Sequence, residues 1–486
     1  MDISPFWAVF LPVLGAVLIA CCKEDWERPR QALAVSTSVL TCALVARAWP
    51  VVLQGGEYRF TIIQISPGLS VTFAAEPLGL LFAMLASMLW IFATFYALSY
   101  MTQEHHRRRF FTCYTLALSA TMGVAFSANL FTLYIFYEYL ALITYPLVIH
   151  KQTAEAYAAG TKYIIYCFGS GALIFLGMFS LGGFAGTLDF TPGGLPELAT
   201  TDRRVLALIF VALITGFGVK AALMPLHSWL PAAMVAPTPV SALLHAVAIV
   251  KAGVFGILRV SYYLYGPESL QSLGLAGILA AAAAGTIIMA SVLAIRQDKL
   301  KARLAYSTIG QLSYIILGAA LLSPYGLTGG LAHLVNHALL KIVLFFCAGV
   351  IAHETGATHI SQLGGIGRRL PYTCFFFTLA SLGLIGVLPL AGYISKLYLL
   401  AGSLQADKPL LGLVLLGSAV LSAVYYLPII IAAYFQEGTY VRTPGLESSP
   451  GLFFPTAVLT VFCFVFGLFA HQTTLPLINR IIMAVF

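Results

Sequence analysis

Charge is what this sequence lacks. Only 9% of its 486 residues are Asp, Glu, Lys or Arg, against 60% hydrophobic, whereas a soluble globular chain carries about 25% charged residues. The 26 Lys+Arg and 18 Asp+Glu are too few to cover a water-facing surface of this size, which excludes a large soluble core. Cysteine is sparse and unpatterned. Cys21, Cys22, Cys42, Cys113, Cys167, Cys347, Cys374 and Cys463 form no CxxC and fall mostly in apolar stretches. They read as small buried hydrophobes and predict no disulfide framework, iron–sulfur cluster or zinc ribbon. No GxGxxG opens a helix after a strand, and GFGVKAA at 216–222 lacks the spacing of a phosphate-binding loop. No Ser/His/Asp constellation stands out. No cofactor, nucleotide, flavin or metal is therefore expected on this chain, and any redox chemistry belongs to partners. The opening residues MDISPF, with Asp2, lack a basic region, so the first apolar stretch reads as a retained helix and not a cleaved signal.

What is present is a series of long apolar blocks. Each can cross the roughly 30 Å hydrocarbon layer as a helix of about 20 residues, the form that satisfies its own backbone where lipid offers no partner. The pattern predicts an all-α integral membrane protein with fourteen spans, at about 4–22, 31–52, 73–99, 110–126, 129–149, 160–186, 203–226, 236–261, 270–295, 304–322, 327–352, 371–401, 409–434 and 452–471. A short apolar tail at about 475–486, with Pro476 and Arg480, is expected along the membrane surface. The net charge of +8 does not point to nucleic acid, because the cations sit in short loops where topology signals lie. Fifteen of the 26 Lys+Arg, Arg442 among them, follow odd-numbered spans, and seven, Arg259 among them, follow even-numbered ones. This bias places the first side in the cytoplasm and both termini outside, in a prokaryotic inner membrane.

The remaining four cations, Lys220, Lys251, Lys341 and Lys396, fall inside apolar spans, and of the 18 acids only Glu138 lies deep in one. An ionised side chain at mid-bilayer costs roughly 2.5–3.5 kcal/mol on insertion scales. These five must then face the protein interior, pair, or line hydrated cavities. Snorkelling is the competing reading, but Lys341 in GGLAHLVNHALLKIVLFFCAGV and Lys220 in LITGFGVKAALMPL are far from a head-group layer. Four lysines against one carboxylate exceed a structural pairing. Desolvation disfavours an ammonium, so an unpaired buried lysine can accept and release a proton near neutral pH. His333, His337 and Lys341, spaced i, i+4, i+8, share one helix face. His245 and Lys251 are six apart and share a face only if their helix bulges. A zinc site on His333 and His337 is disfavoured, because no third ligand stands at a suitable spacing.

Broken helices are the second signal. Pro225, Pro231, Pro237 and Pro239 punctuate one stretch, and Pro389 with Gly392 punctuates another just before Lys396. Such breaks survive at membrane depth only where the backbone is buried or lines a wet cavity. Two interrupted spans, each with a lysine, suggest inverted five-span repeats at 110–261 and 270–434, preceded by N-terminal helices at 1–109 and followed by 435–486.

KAALMPLHSWLPAAMVAPTPVSALLHAVAIVKAGVF (220–255), HLVNHALLKIVLFFCAG (333–349), GYISK (392–396) and YEYLALITYP around Glu138 resemble the proton-conducting membrane subunits of respiratory complex I, Mrp-type cation/proton antiporters and membrane-bound hydrogenases. The resemblance covers about 110–435. It implies a proton path in which Glu138 pairs with Lys220, His245 and Lys251 form a central relay, His333, His337 and Lys341 carry it onward, and Lys396 is terminal. It also implies other membrane subunits as partners, with peripheral redox subunits among them. The loop holding His150, Lys151, Glu155 and Lys162 is expected as a cytoplasmic contact surface. The competing functions are a Na+/H+ antiporter subunit without redox coupling, a subunit energising inorganic-carbon uptake, and a stand-alone carrier with one discrete midplane site.

Overall fold

A computed structural model describes residues 4–438, 440–441 and 447–486; Asp2 and Arg442 lie outside the described residues. Helices dominate. They run α1 (Ser4–Cys21) and α2 (Glu27–Arg47), then α3 (Pro77–Tyr100), α4 (Arg107–Ala125), α5 (Leu130–Val148), α6 (Ala154–Ala185), α7 (Arg203–Lys220) and α8 (Thr238–Ser272). They continue as α9 (Leu275–Ile295), α10 (Leu300–Ala320), α11 (Pro324–Thr355), α12 (Pro371–Ile385), α13 (Gly392–Gln405), α14 (Pro409–Phe435), α15 (Pro450–Leu468) and α16 (Leu475–Val485). Among the described residues nine helices are long and apolar enough to cross a membrane, and three shorter apolar helices join them. Polar side chains set several starts by accepting from orphan backbone N–H groups: Asn129 for α5, Thr153 for α6, Asp202 for α7 and Ser323 for α11.

Two helices form the interior. The apolar cores of α8 and α11 are buried throughout, while α2, α6 and α14 turn most of their surface outward. An outward apolar surface is what lipid accepts, so the polar interior is insulated by a ring of helices.

Several expectations need correction. Residues 58–75 are not a bare loop leading to a span at 73. Tyr58–Ser66 (β1) and Leu69–Ala75 (β2) pair as an antiparallel hairpin, and TIIQISPGLSVTF has the β-branched content that strands favour. The chain from 154 to 162 is helical, because α6 begins at Ala154; Glu155 and Lys162 therefore stand on a helix and not in a loop. The seventh span ends at Lys220, and residues 221–237 are turns and single helical turns. The twelfth breaks between Ile385 and Gly392. The apolar tail forms a two-faced helix, α16, whose Leu477 and Ile478 are buried and which packs against α3 and α11 while Arg480 and Met483 stay exposed, an arrangement compatible with its expected place along the membrane surface.

Candidate functional site: a buried line of charged and polar side chains

Lys220, His245, Lys251, His333, His337 and Lys341 are all 0% exposed, and Lys396 and Glu138 are partly buried. The local backbone explains how each is presented. Glu138 projects from α5 over Gly171 of α6, where a Cβ would come within 2.7 Å of its carboxyl carbon. A larger residue there would push the carboxylate aside. Its Oε1 has no hydrogen-bond partner. Lys220 is the last residue of α7. Its Nζ donates to the main-chain carbonyl of Tyr137 and lies 3.3 Å from the Tyr137 ring centroid, a placement that attracts a cation electrostatically. Glu138 and Lys220 are electrostatic neighbours but make no contact ion pair. The lysine is held by the residue next to the acid.

Side chains tie down the backbone at the break after Lys220. Trp229 Nε1 donates to the Val219 carbonyl at 2.7 Å, and the Met224 N–H donates to Thr286 of α9 at 3.1 Å. These contacts satisfy groups that a helix end otherwise orphans. On α8, Gly253 lets the helix lie against this end: a Cβ there would sit 2.3 Å from the Ala221 nitrogen.

His245 lies in a π-helical turn, Leu243–Val247, the bulge its six-residue spacing from Lys251 required. Such turns occur frequently at functional sites. Its ring packs 4.9 Å from Phe345, and neither ring nitrogen has a protein partner. Lys251 Nζ is 2.8 Å from His337 Nδ1, a direct link from α8 to α11. His337 is the hub, with Lys251, Lys341, His333 and His245 all within its electrostatic reach. Its ring centroid is 6.0 Å from that of His333, whose Nδ1 is 2.9 Å from Ser395 Oγ on α13. Lys341 donates to the Leu304 carbonyl at 2.9 Å, Ser307 Oγ at 2.8 Å and the Tyr426 hydroxyl at 3.1 Å. Lys396, one residue beyond Ser395, donates to the carbonyls of Leu384 and Ile385 at 2.6 and 2.8 Å. These are end-of-helix acceptors on α12, which favour a cation.

The geometry therefore lines up two hydrogen-bonded pairs, Lys251–His337 and His333–Ser395, with the two imidazoles 6.0 Å apart and not hydrogen-bonded to each other, Lys341 and His245 beside them and Lys396 at the end. Among the described residues no hydrogen bond or ion pair joins Lys220 to Lys251. Alternating lysine ammonium, imidazole and hydroxyl groups can pass a proton by exchanging donor and acceptor roles.

Sequence reasoning missed two features. Arg259 is not in a loop. It is fully buried in α8, paired with Glu76 at the start of α3, and surrounded by the rings of Phe190, Phe255 and Tyr263 at 4.6–4.8 Å. Counting it as a topology signal overlooked that α8 stays helical to Ser272. The hydroxyls around Lys341, with Tyr425 3.2 Å from Ser307 and Ser422 3.0 Å from Tyr425, also went unread. YSTIGQLSY at 306–314 and SAVYY at 422–426 hold the only sequence trace of them.

Residues 127–422 match the family described as NADH:quinone oxidoreductase/Mrp antiporter, TM. The chain is 33% identical over 460 residues to NADH-quinone oxidoreductase subunit N of Desulforudis audaxviator, covering 90% of each. It is 30% identical to one of the Na(+)/H(+) antiporter subunits of Alkalihalophilus pseudofirmus, covering 99% of this chain but 63% of that one. The fold matches a chain of the membrane-bound sulfane sulfur reductase, an archaeal respiratory membrane complex, with TM-score 0.89, 22% identity and 100% of both chains covered. A chain of the Mrp complex from Dietzia sp. DQ12-45-1b gives TM-score 0.88 at 20% identity, covering 100% of this chain and 98% of that one. The family match spans more than half of the chain and takes in every member of the buried line, so this chain belongs to the NADH:quinone oxidoreductase/Mrp antiporter family of membrane subunits.

Proposed function

We propose that this subunit moves protons across the membrane along Glu138, Lys220, His245, Lys251, His337, His333, Lys341 and Lys396, within a complex I-like or Mrp-like assembly. The observation that carries the reading is the 2.8 Å contact between Lys251 and His337. It joins the two fully buried helices through a pair of groups that both exchange protons, at a depth where ionisable side chains are expensive unless used. The charges are spread over α5, α7, α8, α11 and α13, a distribution that favours a path over the single midplane pocket of a solute carrier. In the proposed sequence, separation of Glu138 from Lys220 changes the field at Lys251, the proton passes to His337, and His333 and Ser395 deliver it towards Lys396.

The reading includes fourteen crossings, two inverted repeats at 110–261 and 270–434, and an arginine-rich cytoplasmic face with both termini outside. The paired breaks and the Lys/Arg bias support it. The test is proton uptake into liposomes holding the assembled parent complex, wild type against Lys251→Met and His337→Phe. Loss of uptake with assembly intact is expected. Wild-type uptake in both variants would overturn the path.

A further inference from the structure

At the arginine-rich face the ends of α3 and α5 meet, and three side chains far apart in sequence converge there. Glu104 and His105 follow α3, and His150 follows α5. A carboxylate oxygen and one nitrogen from each imidazole all lie within 4.8 Å of one another. His105 Nδ1 is 3.9 Å from Glu104 Oε2, and the two histidine rings are 5.2 Å apart. His150 is 0% exposed, yet neither of its ring nitrogens makes a hydrogen bond of good geometry, the main chain of His105 offering only a loose contact. A buried polar ring without partners is destabilising unless something fills the place.

We propose that Glu104, His105 and His150 form a binding site for a divalent transition metal of the zinc type, tying the end of α3 to the end of α5. Two imidazoles and one carboxylate suit zinc and its neighbours, and three protein ligands leave a fourth position open. Calcium and magnesium prefer oxygen ligands, so the histidines argue against them. A ligating imidazole must be neutral, with a ring nitrogen free to take the metal, and both ring nitrogens of His150 lack a partner. The neighbouring arginines have partners other than the three ligand side chains. Arg107 pairs with Glu27, Arg108 faces Glu24 at 3.7 Å, and Arg109 donates to the His150 main-chain carbonyl at 3.1 Å. Their positive field opposes a dication, which makes the site exchangeable and not permanently filled. Because α5 also carries Glu138, an occupied site would restrain the helix that presents the acid.

The test uses the full chain purified without a histidine tag, stripped by chelator and titrated with zinc chloride in a calorimeter. One saturable equivalent is expected, weakened by about tenfold or more in His150→Ala and Glu104→Gln and unchanged in His106→Ala. His105→Ala removes a ligand whose side chain is 48% exposed, so it gives the same loss without disturbing packing. Cobalt loading should give tetrahedral visible bands in the wild type that vanish in His105→Ala. Zinc affinity unchanged in His105→Ala and His150→Ala, or no saturable equivalent, would overturn the proposal.

Discussion

The two broken helices put their lysines on opposite limbs. In the first, Lys220 closes α7, five residues ahead of Pro225, and turns to the Tyr137 carbonyl and ring. In the second, the residue five ahead of Pro389 is Leu384, and the lysine comes after the break, as Lys396 on α13. Its ammonium nevertheless reaches back to the Leu384 carbonyl. In both breaks a lysine is thus tied to the limb ahead of the proline, the first by its backbone and the second by its ammonium. They differ in what holds it. Lys220 has a carboxylate for a neighbour, so a change at Glu138 alters its field directly. Lys396 has helix-end carbonyls instead. The opposite end of α12 is matched as well, since Glu447 accepts from the Tyr372 and Thr373 N–H groups, so α12 carries an acid at its start and a cation at its end, as its dipole favours. On the proposed path, the first break would respond to a neighbouring acid, whereas the second presents its cation to fixed carbonyls.

The sharpest way to break this contrast is at the link between the halves. Lys251→Met removes the donor facing His337 and should reduce proton translocation to near background while assembly is retained. Substantial residual uptake would mean the halves conduct independently. Next in size is Arg259→Met, which strands the Glu76 carboxylate in the interior. Removing one partner of a buried pair costs about 3–5 kcal/mol, so the thermal unfolding midpoint in detergent should fall clearly, and adding Glu76→Gln should recover part of the loss. A midpoint unmoved by Arg259→Met would show that the pair contributes nothing to stability.

Moving the second lysine sharpens the comparison. Lys396→Leu should impair translocation, and adding Leu384→Lys, which puts the ammonium on the limb that Lys220 occupies, should recover part of it. No recovery would show that the limb matters and not only the place. The smallest effect concerns the loops of the second half. Asp298 accepts from the Ser361 N–H at 3.0 Å and Oγ at 2.8 Å, and these bonds hold its carboxyl below the usual value of 3.8. A depressed acid stabilises above its ordinary pKa, and that contribution is lost as pH falls through the folded value. Hydrogen-exchange protection at Ser361 should therefore be flat from neutral pH down to about 5 and decline only below about 4. Asp298→Asn should lose part of it at all pH values.

Much of this was legible in the sequence because lipid makes charge expensive. Lys220, Lys251 and Lys341 stood out against apolar runs, and all three are buried where those runs placed them. The six-residue gap between His245 and Lys251 required a bulge, and the π turn supplies it. What stayed hidden depends on contacts between distant segments. Arg259 read as a loop cation because its acid, Glu76, lies at the start of another helix. The serines and tyrosines around Lys341 carry no charge to mark them, and His150 meets Glu104 and His105 only in three dimensions. The hairpin at 58–75 is hidden from a reading by length and apolarity, because its strands are shorter than a span and the first of them is largely exposed.

The most direct measurement is proton translocation by the reconstituted parent complex carrying Glu138→Gln or Lys220→Ala, with assembly verified for each. Both variants should lose most of their translocation, because the responsive break has lost its acid or its cation. Translocation at the wild-type rate in both would contradict the proposed path and make the buried charges structural.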